Sequence, residues 1–134
     1  MGGIIFISNS EDPQFGDWYG IRVTYKNNET STVVSSATLK YCRIEHNIYG
    51  IHADGNVGSN NSDTYFIRIE NSLFQNGGTA LYQNNGYYRY VYFNDNTIIN
   101  ADAIKYDWQC SYAEVKRNSI TNGKIYIRSN MPTQ

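Results

Sequence analysis

Hydrophobic and polar positions along this chain follow a pattern that returns at long intervals. Its unit is a small residue, an aliphatic residue and a short stretch in which apolar and polar side chains alternate. The unit occurs five times, with the small residue replaced in the last copy, at Gly20-Ile21, Gly50-Ile51, Ala80-Leu81, Ala103-Ile104 and Lys124-Ile125. The aliphatic residues are 30, 30, 23 and 21 positions apart. A repeated unit of this length predicts a solenoid.

A second marker runs in step with the first. It is a turn residue followed two positions later by an inward aliphatic residue, at Cys42-Arg43-Ile44, Asn71-Ser72-Leu73, Asn96-Thr97-Ile98 and Asn118-Ser119-Ile120, with intervals of 29, 25 and 22. A short stretch of alternating inward and outward residues, typical of a β-strand, precedes each copy, as in Ile67-Arg68-Ile69 and Val91-Tyr92-Phe93. Three short strands per turn predict an all-β solenoid, a parallel β-helix of about five coils, forming a single domain over residues 1–134.

The same alignment makes assignments that a structure can test. It places Leu39-Lys40-Tyr41 in the strand before the first bend. It treats three residues at that bend as a hydrogen-bonded amide ladder: Asn71, Asn96 and Asn118. It places four residues at the second bend: His46, Gln75, Asn100 and Asn122. Because Ile69 and Leu73 are four residues apart while Phe93 and Ile98 are five apart, the alignment also requires a β-bulge.

Composition narrows the set of partners. The formal net charge of −1 is no sign of the concentrated basic surface that nucleic acids need, so we expect no nucleic-acid partner. No apolar run approaches the length of a membrane span, so we expect no membrane insertion. Cys42 and Cys110 lie three coils apart, about 14 Å at the usual strand spacing, which predicts no disulfide between them.

The start of the chain raises the question of how the first coil is covered. Solenoids normally protect their terminal coils with a cap, and nothing of that kind precedes Ile4. We therefore expect a segment of a longer protein or a minimal member. An open first coil also predicts self-association through the ends of the β-helix.

Two stretches resemble a known family. GGIIFISNSEDPQFGDWYGI (residues 2–21) and ATLKYCRIEHNIYGI (residues 37–51) are similar to the right-handed parallel β-helix repeats of secreted and surface-attached bacterial proteins in the pectin-lyase-like superfamily. In those repeats an I-x-F-T-S strand, a loop ending in G-D-W-G-G-I and an L-x-Y-C-x-I-E strand recur in this order. Here they correspond to Ile4–Ser8, Gly16–Ile21 and Leu39–Glu45. The resemblance implies a right-handed β-helix at an extracellular or cell-surface location. It implies no single activity, because the fold carries lyases, hydrolases, adhesins and tailspikes.

Catalytic signals are sparse. A lyase needs a base together with a cation that neutralises the sugar carboxylate, and a hydrolase needs two carboxylates across the glycosidic bond. The family's hydrolase signature has N-T-D, paired-Asp, Gly-His-Gly and R-x-K elements, of which only Asn100-Ala101-Asp102 is approximated here. Asp102, Asp107 and Lys105 are the residues on which an enzyme would depend. Glu45, His46 and His52 form no set of metal ligands at matching positions, so we expect neither a metal nor a cofactor.

A stacked column is the best site candidate. The outward residues of the small-aliphatic strands are Arg22, His52, Tyr82, Lys105 and Tyr126. Flanking loops add Tyr87, Tyr88, Trp108 and Tyr112. Coil stacking would space the column by about 4.8 Å, close to the length of a sugar residue. Aromatic rings pack on the C–H faces of sugars, while Arg and Lys bind carboxylates or sulfates.

Three functions remain open at this point. The column favours a non-catalytic glycan-recognition or cell-surface module with a polysaccharide partner. A polysaccharide lyase or glycoside hydrolase is the first alternative, and a structural or assembly unit without a small ligand is the second. Stacked cross-strand pairs also stabilise a sheet by about 0.2 to 1 kcal/mol each, so the column has a structural interpretation as well.

The repeat predicts which changes should damage folding. Replacing Gly50 with valine should lower the thermal unfolding temperature far more than a substitution in the loop 54–63, because stacked coils leave little room beside Ile51. Thermal denaturation of the two variants followed by circular dichroism checks this. Equal unfolding temperatures would contradict the alignment.

Overall fold

The computed structural model describes residues 3–24, 26–28, 31–33, 36–55, 66–86, 88–106 and 110–127. In chain order its strands are β1 (Ile4–Phe6), β2 (Ile21–Thr24), β3 (Lys26–Asn28), β4 (Ser31–Val33), β5 (Ala37–Lys40), β6 (Cys42–Glu45), β7 (Tyr49–Gly55), β8 (Phe66–Glu70), β9 (Leu73–Gln75), β10 (Thr79–Gly86), β11 (Tyr88–Asn94), β12 (Thr97–Ile99), β13 (Asp102–Tyr106), β14 (Cys110–Lys116), β15 (Ser119–Thr121) and β16 (Ile125–Ile127). Within these ranges no helix is long and apolar enough to cross a membrane.

The strands form three parallel sheets. Sheet 1 has the order β1-β6-β9-β12-β15, sheet 2 the order β2-β7-β10-β13-β16 and sheet 3 the order β5-β8-β11-β14. An antiparallel hairpin of β3 and β4 interrupts the first coil between sheets 2 and 3. Each coil contributes one strand to each sheet in turn, so the chain is a right-handed parallel β-helix of about five coils, which confirms the predicted fold.

The core consists of inward side chains stacked along the axis. Ile44, Phe74 and Ile98 form its sheet 1 wall, and each is almost completely buried. Ile51 and Leu81, from the small-aliphatic unit, pair in sheet 2 as the repeat predicts. Burying side chains of this size contributes about 1.5 to 3 kcal/mol each relative to exposure.

At Gly20 and Gly50 the small residue before the aliphatic has a steric cause. A Cβ atom on Gly50 would lie 2.5 Å from the carbonyl oxygen of Ala80 and 2.5 Å from Cε1 of Phe74. Gly20 has in addition a φ of 117°, which side chains other than glycine rarely adopt. The loop 54–63 used for comparison above lies largely outside the described residues.

The predicted alignment of the repeats with one another was wrong by one residue in the third coil. Phe74, not Leu73, pairs with Ile44 and Ile98 and fills the core, whereas Leu73 is half-buried on the outer side. Ile69 and Phe74 are then five residues apart, so the predicted bulge at this point is absent. Because Leu73 and Phe74 are both apolar, their pattern alone could not decide which one faces inward.

The same one-residue shift changes which residue of the third coil lies at the first bend. Ser72 stands where the prediction placed Asn71. Its Oγ accepts a bond from the backbone N–H of Cys42 (3.2 Å), and its own N–H donates to Oδ1 of Asn96 (3.0 Å). The Asn96 N–H donates in turn to Oδ1 of Asn118 (2.9 Å). Asn71 belongs instead to the preceding left-handed column: Tyr41, Asn71, Asp95 and Arg117, with φ values of 50° to 56°.

Two further assignments change with it. The second-bend column is His46, Asn76, Asn100 and Asn122, all with positive φ, so Gln75 was the wrong member. In sheet 3, Ala37-Thr38-Leu39 pairs with Ile67-Arg68-Ile69, whereas the prediction placed Leu39-Lys40-Tyr41 there. The αL bend at Tyr41 ends that strand, which alternation alone did not reveal. Cys42 is buried and free.

The ladder at the first bend predicts a graded loss of stability. Asn96→Ala removes the acceptor of the Ser72 N–H and the donor to the Ile69 carbonyl, both within the buried interior. We expect it to lower the free energy of unfolding by about 2 to 4 kcal/mol. Asn118→Ala is the matched control, since it makes the equivalent bonds one coil later but is only half-buried.

Urea denaturation measures both variants. Asn118→Ala should cost clearly less than Asn96→Ala, because water can reach the groups that it leaves unpaired. An Asn96→Ala protein as stable as the parent would contradict a structural role for this ladder.

Candidate functional site

The predicted column exists in sheet 2. In the backbone register Arg22 pairs with His52, His52 with Tyr82, Tyr82 with Lys105, and Lys105 with Tyr126. Neighbouring members are therefore one strand spacing apart, about 4.8 Å. The pairing was predictable because each residue directly follows the inward aliphatic of its coil. Whether the column binds a ligand stays a prediction.

A second column runs beside the first, and the sequence interpretation missed it. Its members precede the aliphatic residue by two positions: Tyr19, Tyr49, Thr79 and Asp102. The Tyr49 N–H donates to the Tyr19 carbonyl (2.9 Å), and Thr79 pairs with both Tyr49 and Asp102. The recurring Tyr-Gly-Ile at residues 19–21 and 49–51 was the available signal. We call the two columns together the sheet 2 face.

Three tyrosine rings pack together on this face. Tyr49 and Tyr82 are stacked, with ring centroids 4.4 Å apart and planes 9° apart. Tyr19 meets Tyr49 edge-on, at 5.4 Å and 74°. Tyr19 remains 43% exposed, while Tyr49 and Tyr82 are half-buried. The three rings form a fixed aromatic surface, of which Tyr19 is the most exposed part.

The loop that carries Tyr19 is anchored by its own contacts. Nε1 of Trp18 donates to the Glu45 carbonyl (2.7 Å), and the Ile48 N–H donates to the Trp18 carbonyl (3.0 Å). The Trp18 ring stacks on Phe6 at 6.3 Å. The loop therefore lies against the first two coils, and Tyr19 is placed over sheet 2 by tertiary contacts.

His52 points outward, as predicted, but it does not reach solvent freely. The rings of Tyr19, Tyr49 and Tyr82 lie 5.7, 5.1 and 4.9 Å from it, and only 6% of the residue is exposed. Its Nδ1 is hydrogen bonded to the Tyr19 hydroxyl. His52 thus supports the aromatic surface from below.

The far end of the face is cationic. Nζ of Lys105 lies 5.7 Å from the Tyr82 ring centroid. A depression of about 450 Å³ lies at this end of the face. Its lining residues are Thr79, Asp102, Ile104, Lys105, Lys124 and Tyr126. Oδ1 of Asp102 accepts the Lys124 backbone N–H (3.1 Å). Two ammonium groups against one carboxylate suit an anionic group on a ligand.

Two of the four flanking aromatics lie on strands of a different sheet. Tyr88 is the first residue of β11, and Tyr112 lies in β14, so both belong to sheet 3. The Tyr112 ring contacts Tyr90 and Tyr92 at 6.4 and 6.0 Å. Placing Tyr88 and Tyr112 in flanking loops was wrong, because these segments continue as strands. Tyr87, Asp107 and Trp108 lie outside the described residues.

Sheet 3 has aromatic and charged groups of its own, and both of its described lysines are in ion pairs. The Arg68 guanidinium lies 4.5 Å from the Tyr92 ring centroid, and Lys40 binds Glu70 at 2.9 Å. Lys116 binds Glu114 at 2.7 Å, and this bond holds the pKa of the Glu114 carboxyl below its usual range. This face contrasts with the cationic end of sheet 2.

A depression larger than the one beside Lys105 lies on sheet 1. It measures about 640 Å³ and is bordered by Ile5, Arg43 and Asp95. Arg43 is bonded to Glu45, and Asp95 holds Arg117 through two bonds of 2.6 and 2.7 Å. With these charges already compensated, size alone does not make it the better candidate for a charged ligand.

Glu45 and His46 form a separate polar cluster. Oε1 of Glu45 accepts bonds from Nε2 of Gln75 (2.6 Å) and from Arg43, and Nδ1 of His46 is 4.0 Å from Oε2. Burial alone would raise the pKa of the Glu45 carboxyl, but the bonds from Arg43 and Gln75 outweigh it and lower that pKa. Among the described residues no three His, Cys, Asp or Glu side chains are placed to hold a metal ion.

Comparisons of the chain with protein-family models, curated proteins and solved structures give no match. The site combines a fixed aromatic surface, two lysines and a depression along one sheet.

The Glu45 cluster predicts a pH-dependent stability. A carboxyl whose pKa is lower in the folded than in the unfolded chain stabilises the fold above the unfolded pKa, and this contribution is lost as the pH falls through the folded pKa. Glu45→Gln should therefore lower the free energy of unfolding by about 1 to 2 kcal/mol at pH 7. The difference from the parent should shrink in acid.

Urea denaturation from pH 7 down to pH 3 measures this difference. Glu11→Gln is the control, because Glu11 is exposed. A Glu45→Gln deficit that stays constant over the whole range would show that charge at this position does not stabilise the fold.

Proposed function

We propose that this chain is a non-catalytic glycan-recognition module that binds a polysaccharide along the sheet 2 face. The observation that carries the proposal is the register-fixed sequence of aromatic and cationic side chains across consecutive coils. Successive coils are separated by a step close to the length of a sugar residue. An extended glycan lying along the solenoid axis would meet them in turn.

The contacts suit the chemistry of sugars. The half-buried stack of Tyr49 and Tyr82 contributes the parts of its rings that reach the surface, and the Tyr19 ring is exposed beside it. Lys105 and Lys124 provide donors to a carboxylate or sulfate beside the depression. The binding surface is held by its own packing, so little ordering would accompany binding.

Membership of the pectin-lyase-like superfamily and an extracellular or cell-surface location in a bacterium belong to the same proposal. The β-helix and the elements at Ile4–Ser8, Gly16–Ile21 and Leu39–Glu45 support them. A polysaccharide-binding module is most useful where polysaccharides are accessible, outside the cell.

An enzyme is the second candidate, and one observation favours it. Asp102 and Lys105, two of the three residues on which catalysis would depend, line the same depression together with Tyr126. A carboxylate, an amine and a phenol beside a bound sugar are groups that can transfer protons. A lyase or hydrolase would shorten its polymer, whereas a recognition module would leave it intact.

An assembly unit is the third candidate. Exposed apolar residues lie on the outer strands of the described sheets: Ile4 and Ile5 in β1, and Ile125 and Ile127 in β16. Strand edges of this kind can pair with another chain. Oligomers that depend on protein concentration and need no ligand would favour this function.

Affinity gel electrophoresis tests the leading proposal. We expect an acidic polysaccharide in the gel to retard the parent protein, and Tyr82→Ala and Lys105→Ala each to weaken binding about five- to ten-fold. The matched controls are Tyr92→Ala and Lys116→Ala, which remove the same residue types from sheet 3.

The outcomes separate the candidate functions. Retardation that is lost only in the sheet 2 variants supports recognition on this face. Equal loss in the sheet 3 variants would place binding elsewhere. Shortening of the polymer, abolished by Asp102→Asn, would establish the enzyme instead.

A further inference from the structure

The most exposed large apolar side chain among the described residues lies outside the sheet 2 face. It is Phe15, in the loop before β2, and 65% of it is exposed. Apolar side chains stabilise a fold in proportion to the surface that they bury, so a ring left this exposed contributes little to folding. An exposed ring of this kind is available for contact with a ligand.

A hydrogen-bonded turn holds Phe15 in place. The Asp17 N–H donates to the Gln14 carbonyl (3.3 Å), and Gly16, the third residue of the turn, has a φ of 82°, as a type II turn requires. Oδ2 of Asp17 accepts the Ser8 hydroxyl (2.5 Å) and the Gln14 N–H (2.9 Å). The ring is therefore carried on a fixed backbone, and little ordering of the turn would accompany binding.

Phe15 lines a depression of about 380 Å³ at the second bend, which we call the second-bend depression. A Cβ atom on Gly78 would lie 2.1 Å from the Ile48 carbonyl oxygen and 3.3 Å from Cε2 of Phe15. Coil stacking thus requires glycine at this position, and the missing side chain leaves space beside the ring. Its other lining residues include Gly77, Gly78, Asn100, Asp102 and Asn122.

Asparagine side chains supply polar groups to this depression. Nδ2 of Asn100 donates to Oδ1 of Asn76 (3.2 Å), and Nδ2 of Asn122 donates to Oδ1 of Asn100 (2.9 Å). All three residues are exposed. Each bond fixes an amide group and uses one of the two hydrogens on its nitrogen. Within the described part of the chain, the second hydrogen of Asn100 and of Asn122 remains for a ligand hydroxyl.

Asp102 sets the charge that a ligand can carry here. It lines the second-bend depression and also the depression that holds Lys105 and Lys124, so the two are adjacent. The described lining of the second-bend depression contains this carboxylate and no cation. An acidic group would be repelled there. A neutral hydroxyl, in contrast, can donate a hydrogen bond to the carboxylate.

We propose that the second-bend depression is a subsite for an uncharged sugar unit. The C–H groups of the unit pack on Phe15, and its hydroxyls bond to the amides of Asn100 and Asn122. An acidic group on a neighbouring unit lies in the adjacent depression with Lys105 and Lys124. This inference rests on the proposed function and adds the class of sugar unit that is bound beside the sheet 2 face.

Affinity gel electrophoresis with neutral and acidic polymers tests the inference. The neutral probes are dextran, laminarin and galactomannan, and the acidic probe is polygalacturonate. We expect at least one neutral polymer to retard the parent protein, and Phe15→Ala to weaken that binding about five-fold or more. The same substitution should change polygalacturonate binding less than about two-fold, whereas Lys105→Ala should have the opposite pattern.

Three controls separate binding from folding. Phe15→Tyr keeps the ring and should keep the affinity for the neutral polymer. Tyr112→Ala is the matched control, since it removes an exposed ring from sheet 3 and should leave neutral binding unchanged. The thermal unfolding temperature of Phe15→Ala should stay close to that of the parent, because the ring is exposed.

The remaining outcomes each count against the inference. Neutral binding that survives Phe15→Ala, or is lost equally in Tyr112→Ala, would overturn it, because the subsite would not be the cause. Equal weakening of neutral and acidic binding by Phe15→Ala would overturn the division of the two depressions by charge. Retardation by polygalacturonate alone would overturn the inference and leave the proposed function standing. No retardation by any of the four polymers would overturn both.

Discussion

The stacking of each coil on the next by backbone hydrogen bonds is the constraint on which the rest of this structure depends. Parallel pairing fixes the register of every strand against its neighbours, so a residue type repeated at one position becomes a column on the surface or in the core. The side chains at the first bend reinforce this pairing. Ser72, Asn96 and Asn118 each accept a backbone N–H from the preceding coil.

The candidate site follows directly from that register. Tyr82 stacks on Tyr49 because their coils are neighbours, and Lys105 lies by Tyr82 for the same reason. One part does not come from the repeat. The loop before β2 brings Tyr19 over His52, which converts an outward histidine into a buried support for the tyrosine rings.

The two faces of the solenoid show why composition alone says little about binding. Sheets 2 and 3 both display tyrosines with long cations. On sheet 3 the lysines Lys40 and Lys116 are engaged by Glu70 and Glu114, whereas Lys105 and Lys124 on sheet 2 border an open depression beside a single carboxylate. The difference lies in which residue the register places opposite each cation, and it decides which face has charge available for a ligand.

The sequence by itself determined the solenoid, its five small-aliphatic strands and the column from Arg22 to Tyr126. Repetition makes these three predictions reliable, because every coil shows the same pattern of one inward residue followed by one outward residue. Only the tertiary structure decided between Leu73 and Phe74 for the core, since two adjacent apolar residues satisfy alternation equally and the space between coils chooses the one that fills it. Only the tertiary structure, too, assigned Tyr112 to sheet 3 and placed Tyr19 on His52. Contacts between a loop and a strand 33 residues away leave no periodic signal in a sequence.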